Sequence, residues 1–300
     1  MRHLTTSFRD TLLALLVCMA SGLTAMAFDF EVEGIYYNQI GDGNVSVTYG
    51  ASSYNTYKGQ ITIPDQVTYD GINYTVTEIA PWAFMYCVRL TDVTLPSTLV
   101  KIGDNAFNSC TMLTAITIPD GLQAIEDCAF YYCSRLETVT IPNSVTSIGE
   151  EAFYDCDQLH SVVIGRSVQT IGSKAFGAYS YSSLVNVTCL AAVPPVMENA
   201  DVFHAYSYNN ATLCVPLGNL EAYKSTLWWC DFLNVTGIAT GGILGDVNDD
   251  GFVNISDVIA LISFVLNEGG DLNEDNADYN QDGVINISDI IKLISYILEG

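Results

Sequence analysis

One short pattern returns every 23 residues through the middle of the chain, and this period constrains the fold more than any other feature. An Ala-Phe pair is followed by a cysteine three residues after the phenylalanine. The phenylalanines are Phe84, Phe107, Phe130 and Phe153, and the cysteines are Cys87, Cys110, Cys133 and Cys156. A fifth copy begins at Ala175-Phe176 and then degrades. A fixed period of this length is typical of solenoids, whose units stack on their neighbours.

Each repeat divides into three predicted pieces. A short strand turns alternate residues such as Val93 and Leu95 inward and ends at a proline, because proline cannot donate to a β-ladder. A second short apolar piece ends at an isoleucine, and the Ala-Phe-x-x-Cys segment is predicted to form a helical turn that returns the chain. The prolines are Pro96, Pro119 and Pro142, and the isoleucines are Ile102, Ile125, Ile148 and Ile171.

The segment at residues 28–78 lacks the repeat and is predicted to be a β-rich N-terminal cap. Asp70-Gly71 lies between two strand-like runs, which is a strong hairpin signal. A second hairpin is predicted around the Gly-Asp-Gly-Asn turn at residues 41–44. The open end of a solenoid exposes apolar side chains and strand edges, so a cap is expected there.

These repeats resemble the BspA-like leucine-rich repeats of secreted bacterial proteins. Leu136–Phe153 carries the resemblance, and Leu213–Trp228 is similar to that family's end pieces. The resemblance implies a mixed α/β leucine-rich-repeat solenoid at residues 79–190, followed by a C-terminal cap at 191–236. Members of the family are typically surface or secreted binding proteins, and some are adhesins.

The charge of the chain excludes some classes of partner. It has 34 Asp and Glu against 10 Lys and Arg, which gives a net charge of -24. Nucleic-acid binding depends on Lys and Arg releasing counterions from phosphates, so no nucleic acid is expected. Residues 246–300 hold 12 acidic residues and one lysine, Lys292. Cations are the natural partner of that segment.

The first 27 residues are predicted to be a signal peptide. Arg2 and Arg9 precede an apolar run, and Ala25-Met26-Ala27 supplies a cleavage site. The run is too short for a membrane span, and no transmembrane segment is predicted elsewhere. The mature protein is therefore expected to be secreted or extracellular, and held at a cell surface through a partner.

Eight cysteines remain once Cys18 of the predicted signal peptide is set aside. The four repeat cysteines occupy one inward position in successive units. A small thiol packs well there, and parallel Cβ vectors disfavour a bridge. They are predicted to be buried free thiols. One disulfide among Cys189, Cys214 and Cys230 is left open as an alternative.

Oxygen-bearing residues recur at fixed places in two twelve-residue segments, 246–257 and 278–289. Positions 1, 3, 5 and 12 carry Asp or Asn, position 6 is glycine, and position 7 offers a carbonyl oxygen. This is the ligand pattern of EF-hand loops, and its carboxylates repel one another unless a cation lies among them. Two calcium ions are expected. The predicted ligands are Asp246, Asn248, Asp250, Phe252, Asp257, Asp278, Asn280, Asp282, Val284 and Asp289.

Each loop leads into an apolar helix, predicted at Val258–Leu266 and Ile290–Leu298, and no matching helix is predicted before it. Such half EF-hands, with Asp at position 12, resemble a type I dockerin. The resemblance implies a small all-α calcium-binding module at residues 246–300, after a flexible linker at 237–245.

Dockerins bind cohesin modules of scaffold proteins, so the resemblance implies a cohesin partner. It places the contacts at positions 10 and 11 of each loop and on the helices beyond. Burial of the two loop isoleucines in the core is the alternative. The partner-binding candidates are Ile255, Ser256, Ile287 and Ser288, with Ser263, Phe264, Ser295 and Tyr296 on the helices.

The sequence shows no catalytic pattern. Beyond the predicted signal peptide its histidines are His160 and His204, and neither belongs to a nucleophile or metal motif. The acidic pairs outside the calcium loops fall at variable places of the repeat, where a solvated face explains them. The protein is predicted not to be an enzyme.

Two surfaces of the array are candidate ligand faces. The outward strand positions form a threonine-rich face with little charge, and a second edge carries aromatic rings that could stack on a sugar or a protein. The strand-face candidates are Thr94, Thr117 and Thr140, and the edge candidates are Tyr86, Tyr131, Tyr132 and Tyr154.

The sequence therefore predicts a secreted, non-catalytic binding or adhesion protein whose dockerin docks calcium-dependently onto a cohesin-bearing scaffold. The array's ligand is expected to be a host matrix protein or a polysaccharide. The alternative is an accessory, targeting subunit of an extracellular polysaccharide-degrading complex. A spacer within a surface layer is a third interpretation.

Overall fold

The computed structural model describes residues 28–50, 55–216, 219–238, 245–248, 253–266, 272, 274–280 and 284–299. Within them the repeats form a β-solenoid of about seven turns, as the 23-residue period predicts. The predicted signal peptide, and the part of the predicted linker at residues 239–244, lie outside the described residues.

The strands are short, and each turn of the solenoid contributes one or two of them. The N-terminal strands are β1 Phe30–Val32, β2 Ile35–Gly41, β3 Asn44–Thr48, β4 Gly59–Thr62, β5 Gln66–Tyr69 and β6 Ile72–Ile79. The repeats contribute β7 Leu90–Thr94, β8 Lys101–Ile102, β9 Ala124–Ile125, β10 Thr138–Ile141, β11 Ser147–Ile148, β12 Ser161–Ile164 and β13 Thr170–Ile171. The later strands are β14 Asn186–Cys189, β15 Val196–Met197, β16 Thr212–Pro216 and β17 Asn234–Ile238.

Strands one repeat apart pair in parallel along two faces of the solenoid. One face is a ten-stranded sheet in the order β1-β2-β3-β6-β8-β9-β11-β13-β15, with β5 added on β6. The second face consists of the pair β4-β7 and the five-stranded sheet β10-β12-β14-β16-β17. Residues 113–119 form the turn of the solenoid between β7 and β10 on this second face, and they contain no regular strand.

The interior is filled by one phenylalanine per turn, stacked along the array. The ring centroids of Phe107 and Phe130 are 5.2 Å apart with planes at 1°, and those of Phe130 and Phe153 are 5.1 Å apart at 6°. The stack continues to Tyr57 at one end and to Phe203 at the other. Because successive rings stay nearly parallel, the repeat turns stack with very little twist.

The Ala-Phe-x-x-Cys segments are runs of tight turns, so the predicted helical turn is wrong. The N–H of Cys87 donates to the carbonyl oxygen of Phe84 at 3.0 Å. The N–H of Phe84 in turn donates to the carbonyl oxygen of Ala106 in the next repeat at 2.7 Å. Tyr86 has a left-handed φ of 57°, which an α-helix does not contain. The hydrogen bonds of this segment therefore run mainly between repeats.

The predicted N-terminal hairpins are confirmed. β5 pairs with β6 in antiparallel fashion, and Asp70 and Gly71 at the turn have φ values of 50° and 77°. β2 pairs with β3 in the same way around residues 41–44. β4 and β6 then pair in parallel with β7 and β8, so parallel pairing of the solenoid begins before residue 79.

The C-terminal turns end in an aromatic cluster. Phe203 meets Phe232 edge-on with centroids 5.2 Å apart, and the indole Nε1–H of Trp229 donates to the carbonyl oxygen of Pro195 at 2.7 Å. Short helices at Ala205–Asn210 and Leu220–Ser225 and a 3-10 helix at Trp229–Asp231 lie between the last strands. This segment both extends the parallel sheet and covers the end of the core.

The described residues beyond 245 contain three helices around a separate small core. The helices are Ile255–Val265, Glu274–Ala277 and Ile287–Glu299. The two long ones begin three residues before the predicted starts, inside the predicted loops. The four-residue helix directly precedes the second loop, where no helix is predicted. The buried core residues are Val247, Val258, Leu261, Ala277, Ile290 and Leu293.

None of the helices in the described parts of the chain is long and apolar enough to cross a membrane.

Candidate functional site

The first predicted calcium loop is closed by the carboxylate of Asp257, which is fully buried. Its Oδ1 accepts the N–H groups of Val247 at 2.8 Å and Asn248 at 3.2 Å. Its Oδ2 accepts the N–H of Asn254 at 2.8 Å. The side-chain oxygen of Asn254 accepts the N–H of Ser256 at 2.8 Å. Asn254 and Asp257 together form a capping box at the start of the helix. One carboxylate therefore joins the two ends of the loop.

The second loop repeats this geometry. Asp289 is also fully buried, and its Oδ1 accepts the N–H of Asn280 at 2.9 Å. Its Oδ2 accepts the N–H of Asn286 at 2.9 Å, and the side chain of Asn286 accepts the N–H of Ser288 at 2.9 Å. The same hydrogen bonds at equivalent positions indicate that the two loops fold as copies of one unit.

The described part of each loop offers oxygen ligands of the kind that calcium prefers. The side chain of Asp246 is buried, and those of Asn248, Asp278 and Asn280 are partly buried. Burying two carboxylates, Asp246 and Asp257, in one loop is costly unless a hydrogen-bond network or a metal balances their charge. The donor chemistry of these residues therefore fits a calcium ion.

The predicted ligand set is only partly described. Asp250, Phe252 and Asp282 lie outside the described residues, and the side chain of Val284 is 61% exposed. Among the residues that the structure does describe, no three His, Cys, Asp or Glu side chains are grouped closely enough to hold a metal.

The two loop isoleucines lie on the surface. Ile255 is 61% exposed and Ile287 is 63% exposed, so neither packs in the core. Ser256 is partly buried and Ser288 is exposed. Both isoleucines sit in the first turn of their helices, in equivalent positions.

The predicted helix candidates differ in exposure. Ser263 and Phe264 are partly buried, whereas Ser295 is exposed and its hydroxyl donates to the carbonyl oxygen of Ile291 at 3.0 Å. Tyr296 is exposed, and its ring lies 5.9 Å from that of Tyr279. Sequence reasoning missed the other exposed apolar side chains of the two long helices, which the 3.6-residue period could have found. They are Ile259, Ile262, Ile291 and Leu298, with Leu266 directly after the first helix.

Within the described part of the chain, a hydrogen bond joins the first loop to the solenoid. The side-chain Nδ2 of Asn143 donates to the backbone carbonyl oxygen of Asn248 at 2.6 Å, and its Oδ1 accepts the N–H of Arg166 at 2.9 Å. Asn143 follows the strand β10, and nothing in the repeat pattern distinguishes it.

On the solenoid, the three predicted threonines are exposed on the second face. Thr94, Thr117 and Thr140 occupy the same position in consecutive repeats. The column extends further than predicted, since Thr62 pairs with Thr94 and Thr188 lies in register at the other end, with Val163 between it and Thr140. The threonines of this column expose hydroxyl groups, and none of the positions named here carries an aromatic ring.

The four predicted tyrosines separate into two columns. Tyr131 and Tyr154 stack on each other with centroids 5.5 Å apart, and the ammonium of Lys174 lies 5.9 Å from the centroid of Tyr154. Burial, with a smaller contribution from Asp155, raises the pKa of both hydroxyls. These two rings are thus engaged within the protein.

Tyr86 and Tyr132 form the second column and are 50% and 44% exposed. Just beyond Tyr132 in sequence lies an open depression of about 510 Å³. Burial, and to a lesser degree the neighbouring Asp155, raises the pKa of Asp157 in its wall. The depression is lined by Thr114, Ser134, Arg135, Glu137, Asp157 and Gln158.

All eight cysteines of the described residues are free, and the four repeat cysteines are buried as predicted. The open alternative of a disulfide among Cys189, Cys214 and Cys230 is not what the structure contains. Cys189 instead accepts a hydrogen bond from the hydroxyl of Tyr223, over 3.1 Å.

Comparisons with family models support both halves of the sequence resemblance. Residues 77–200 match the model described as BspA type Leucine rich repeat region, in six copies, and residues 244–298 match the Dockerin type I domain. The predicted resemblance to BspA-like repeats followed by a type I dockerin is confirmed. Type I dockerin domains bind calcium, and a dockerin implies a cohesin partner.

A curated relative is the cellulose 1,4-beta-cellobiosidase (reducing end) CelS of Acetivibrio thermocellus. It is 35% identical over 97 residues, which are 32% of this chain and 12% of CelS. The chain thus spans about an eighth of that enzyme's length.

Two solved structures are similar in part. A leucine rich cell surface protein from Faecalibacterium prausnitzii is 25% identical, with a TM-score of 0.45, over 69% of this chain and 54% of that one. A leucine rich repeat protein from T. pallidum is 24% identical, with a TM-score of 0.43, over 62% of this chain and 86% of that one.

Proposed function

We propose that this protein, which joins a BspA-type repeat region to a type I dockerin domain, is a secreted, non-catalytic binding protein that docks onto a cohesin-bearing scaffold in the presence of calcium. The observation that carries the proposal is the paired loop geometry of the dockerin. Each loop is tied by a buried Asp, Asp257 or Asp289, to a helix that presents an exposed isoleucine at its first turn.

The docking surface of the proposal is the exposed apolar side of the two long helices. Ile255 and Ile287 occupy equivalent positions, and Ile259 and Ile291 follow four residues later at 59% and 60% exposure. Residues four apart lie on one helix face, so each helix offers a short apolar stripe. Exposed apolar surface of this kind marks a protein interface.

Calcium is proposed to hold each loop in the shape that sets these stripes. Bound calcium supplies the positive charge that lets several oxygens share one small loop. In the first loop Asp246, Asn248 and Asp257 would hold it, together with Asp250 and the carbonyl of Phe252. In the second loop the ligands would be Asp278, Asn280, Asp282, Asp289 and the carbonyl of Val284. Two ions are proposed, one per loop.

The solenoid is proposed to act as the binding part of the molecule, facing either a host matrix protein or a polysaccharide. Its face of threonines and its exposed tyrosines are both accessible. The protein is proposed to lie outside the cell, exported by the signal peptide at residues 1–27 and held near the cell surface through its scaffold.

A second candidate is an accessory, targeting subunit of an extracellular polysaccharide-degrading complex. The stretch shared with CelS, which is named as a cellobiosidase, favours it. In that case the solenoid would bring a substrate to enzymes on the same scaffold, without catalysis of its own.

The test is a pull-down of recombinant type I cohesin modules by the full chain in calcium buffer. Replacing Ile255 and Ile287 together by Asp is expected to abolish capture, because charge cannot be buried without a partner. Ile72→Asp is the matched control, since Ile72 is a 54% exposed isoleucine in the N-terminal hairpin. Capture by the double variant at the wild-type level would exclude the helix faces as the docking surface.

A further inference from the structure

We propose that a neutral, extended β-1,4-linked glycan binds along a line of exposed rings on the solenoid, formed by Tyr86, Tyr132 and Tyr179 and called here the tyrosine ridge. The inference deepens the binding role proposed for the solenoid and does not depend on cohesin docking. It names both the site and the chemical class of the ligand.

The spacing of the ridge is the first argument. Tyr86 and Tyr132 hold the same position two repeats apart. In the core beneath them, Phe84 and Phe107 are 4.8 Å apart and Phe107 and Phe130 are 5.2 Å apart, with planes at 9° and 1°. One turn therefore rises by close to the length of one sugar residue in an extended β-1,4-linked chain. Rings on alternate turns would meet alternate sugars along a straight line.

The accessibility of the rings is the second argument. Tyr86 and Tyr132 are about half exposed, and Tyr179 is 86% exposed. The backbone N–H of Tyr179 donates to Oδ1 of Asp155 at 2.6 Å, which places this residue beside the turn that follows Tyr132. The negative face of an aromatic ring attracts the C–H groups on the apolar side of a sugar ring.

The backbone beneath the rings is the third argument. Tyr86 and Tyr132 have φ values of 57° and 56°, in the left-handed region that favours Gly, Asn and Asp. Such a conformation is costly for a bulky residue. Asp155 and Ser109 hold the same position in intervening turns with φ values of 55° and 61°. The position thus accepts small polar residues, so the left-handed turn itself does not require a tyrosine.

Polar groups lie where a bound sugar would need them. Ser109 and Asp155 alternate with the ridge tyrosines, and the open depression begins two residues beyond Tyr132. Arg135 and Glu137 are among its lining residues. Guanidinium and carboxylate groups can each bond two neighbouring hydroxyls, so aromatic stacking and hydrogen bonding are available side by side.

An extended polypeptide fits the ridge less well. The N–H groups of Tyr86 and Tyr132 already donate to the carbonyl oxygens of Asn108 and Tyr154, each at 2.8 Å. The ridge therefore offers no free N–H at these residues for the strand addition that extended peptides use. The net charge of -24 also disfavours an acidic polymer, so the glycan proposed here is a neutral one.

The test is calorimetric titration of the full chain with cellohexaose, and with maltohexaose as a chain of the same sugar in a coiled, α-linked form. Cellohexaose is expected to bind and maltohexaose is not. Replacing Tyr86 and Tyr132 together by Asn removes the rings and keeps residues that tolerate the left-handed backbone. It is expected to weaken binding by at least about tenfold. The control pair Ile40→Asn and Ile72→Asn, two exposed apolar side chains of the N-terminal hairpins, is expected to leave binding unchanged.

Equal affinity for the two oligosaccharides, no heat with cellohexaose, or full binding by the Asn variant would overturn the inference. Capture of a matrix protein that is lost in the same Asn variant would overturn it in favour of a protein ligand. The same samples are tested for cohesin capture in calcium, which reports on the dockerin alone. Retained capture with no glycan binding would remove this inference and leave the docking proposal standing.

Discussion

The thiol of Cys133 donates to the backbone carbonyl oxygen of Phe107, one repeat earlier, over 3.2 Å. Cys110 bonds Phe84 at 3.1 Å and Cys156 bonds Phe130 at 3.3 Å in the same way. Each cysteine therefore joins two turns through a hydrogen bond and not through a disulfide. Cysteine suits this position because its side chain is small and apolar and still carries a weak hydrogen-bond donor, the thiol.

This arrangement predicts thiols that react very differently in one molecule. Burial raises the pKa of Cys133 to about 12, so its reactive thiolate is scarce at neutral pH. Cys230 is exposed. With a thiol reagent and peptide mapping, Cys230 is expected to be modified in the native protein, and Cys133 only after unfolding. Modification of both at similar rates in native buffer would contradict the burial of the repeat cysteines.

The same column predicts that stability declines in alkali. An ordinary thiol has a pKa of 9.0, whereas burial raises that of Cys87 to about 11 and that of Cys133 to about 12. Between these values the folded state binds more protons than the unfolded state, so the free energy of unfolding falls as pH rises. The stabilisation is complete below about pH 9. Denaturant midpoints are expected to be level from pH 7 to 9 and to drop towards pH 11. A midpoint that is constant to pH 11 would show that these thiols do not titrate with unfolding.

The phenylalanine stack predicts a large loss of stability on truncation. Phe130 is fully buried between two parallel rings, so Phe130→Ala is expected to cost about 3–5 kcal/mol. Thr140→Ala, an exposed change in the following turn, is expected to cost less than about 0.5 kcal/mol. Urea unfolding followed by circular dichroism measures both. Equal midpoints for the two variants would mean that the repeat phase is misassigned.

Close approach of neighbouring turns predicts which glycines cannot be replaced. A Cβ on Gly172 would lie 2.5 Å from the backbone nitrogen of Glu150. Glu126 holds the equivalent position in another turn. Its N–H donates a hydrogen bond of 3.4 Å to the carbonyl oxygen of Ile102, whereas the N–H of Gly172 donates one of 2.8 Å to the carbonyl oxygen of Ile148. Gly172→Ala is therefore expected to destabilise by about 1–3 kcal/mol.

Glu126→Ala is the control at the same position, because that turn already accommodates a side chain. It loses only an exposed ion pair with Lys101 and is expected to cost less than about 1 kcal/mol. Thermal melts of both variants separate the two cases. A Gly172→Ala protein as stable as Glu126→Ala would contradict the close contact.

The repeat positions could be predicted from the sequence because every turn repeats the same requirement. One phenylalanine, one thiol and one isoleucine recur at fixed spacing, and burial of each follows from the period. The Asp70-Gly71 hairpin could also be predicted, since few residue pairs adopt two successive left-handed conformations.

The ends of the stack could not be predicted in the same way. Tyr57 and Phe203 continue the column of rings, yet each lies 27 residues from its neighbour in the stack, Phe84 or Phe176, and so falls outside the 23-residue period. The tight turns were missed because Tyr86 and Tyr132 occupy left-handed positions where glycine would have been the signal.

In the dockerin, residue spacing predicted the loops and did not predict where the helices start. Asn254 and Asn286 cap their helices inside the loops, so Ile255 and Ile287 become first-turn residues. Their exposure follows from packing of the opposite helix side on the small core around Leu261 and Leu293. Position in a loop alone does not decide which side is buried.

The most direct test of the account is the affinity of the full chain for a type I cohesin as a function of free calcium. The oxygens around Asp257 and Asp289 must be held in place for the helix faces to form one surface, so binding is expected with calcium and lost with chelator. Asp257→Ala and Asp289→Ala together are expected to abolish binding at any calcium concentration. A cohesin affinity that is the same in calcium and in chelator would contradict the account.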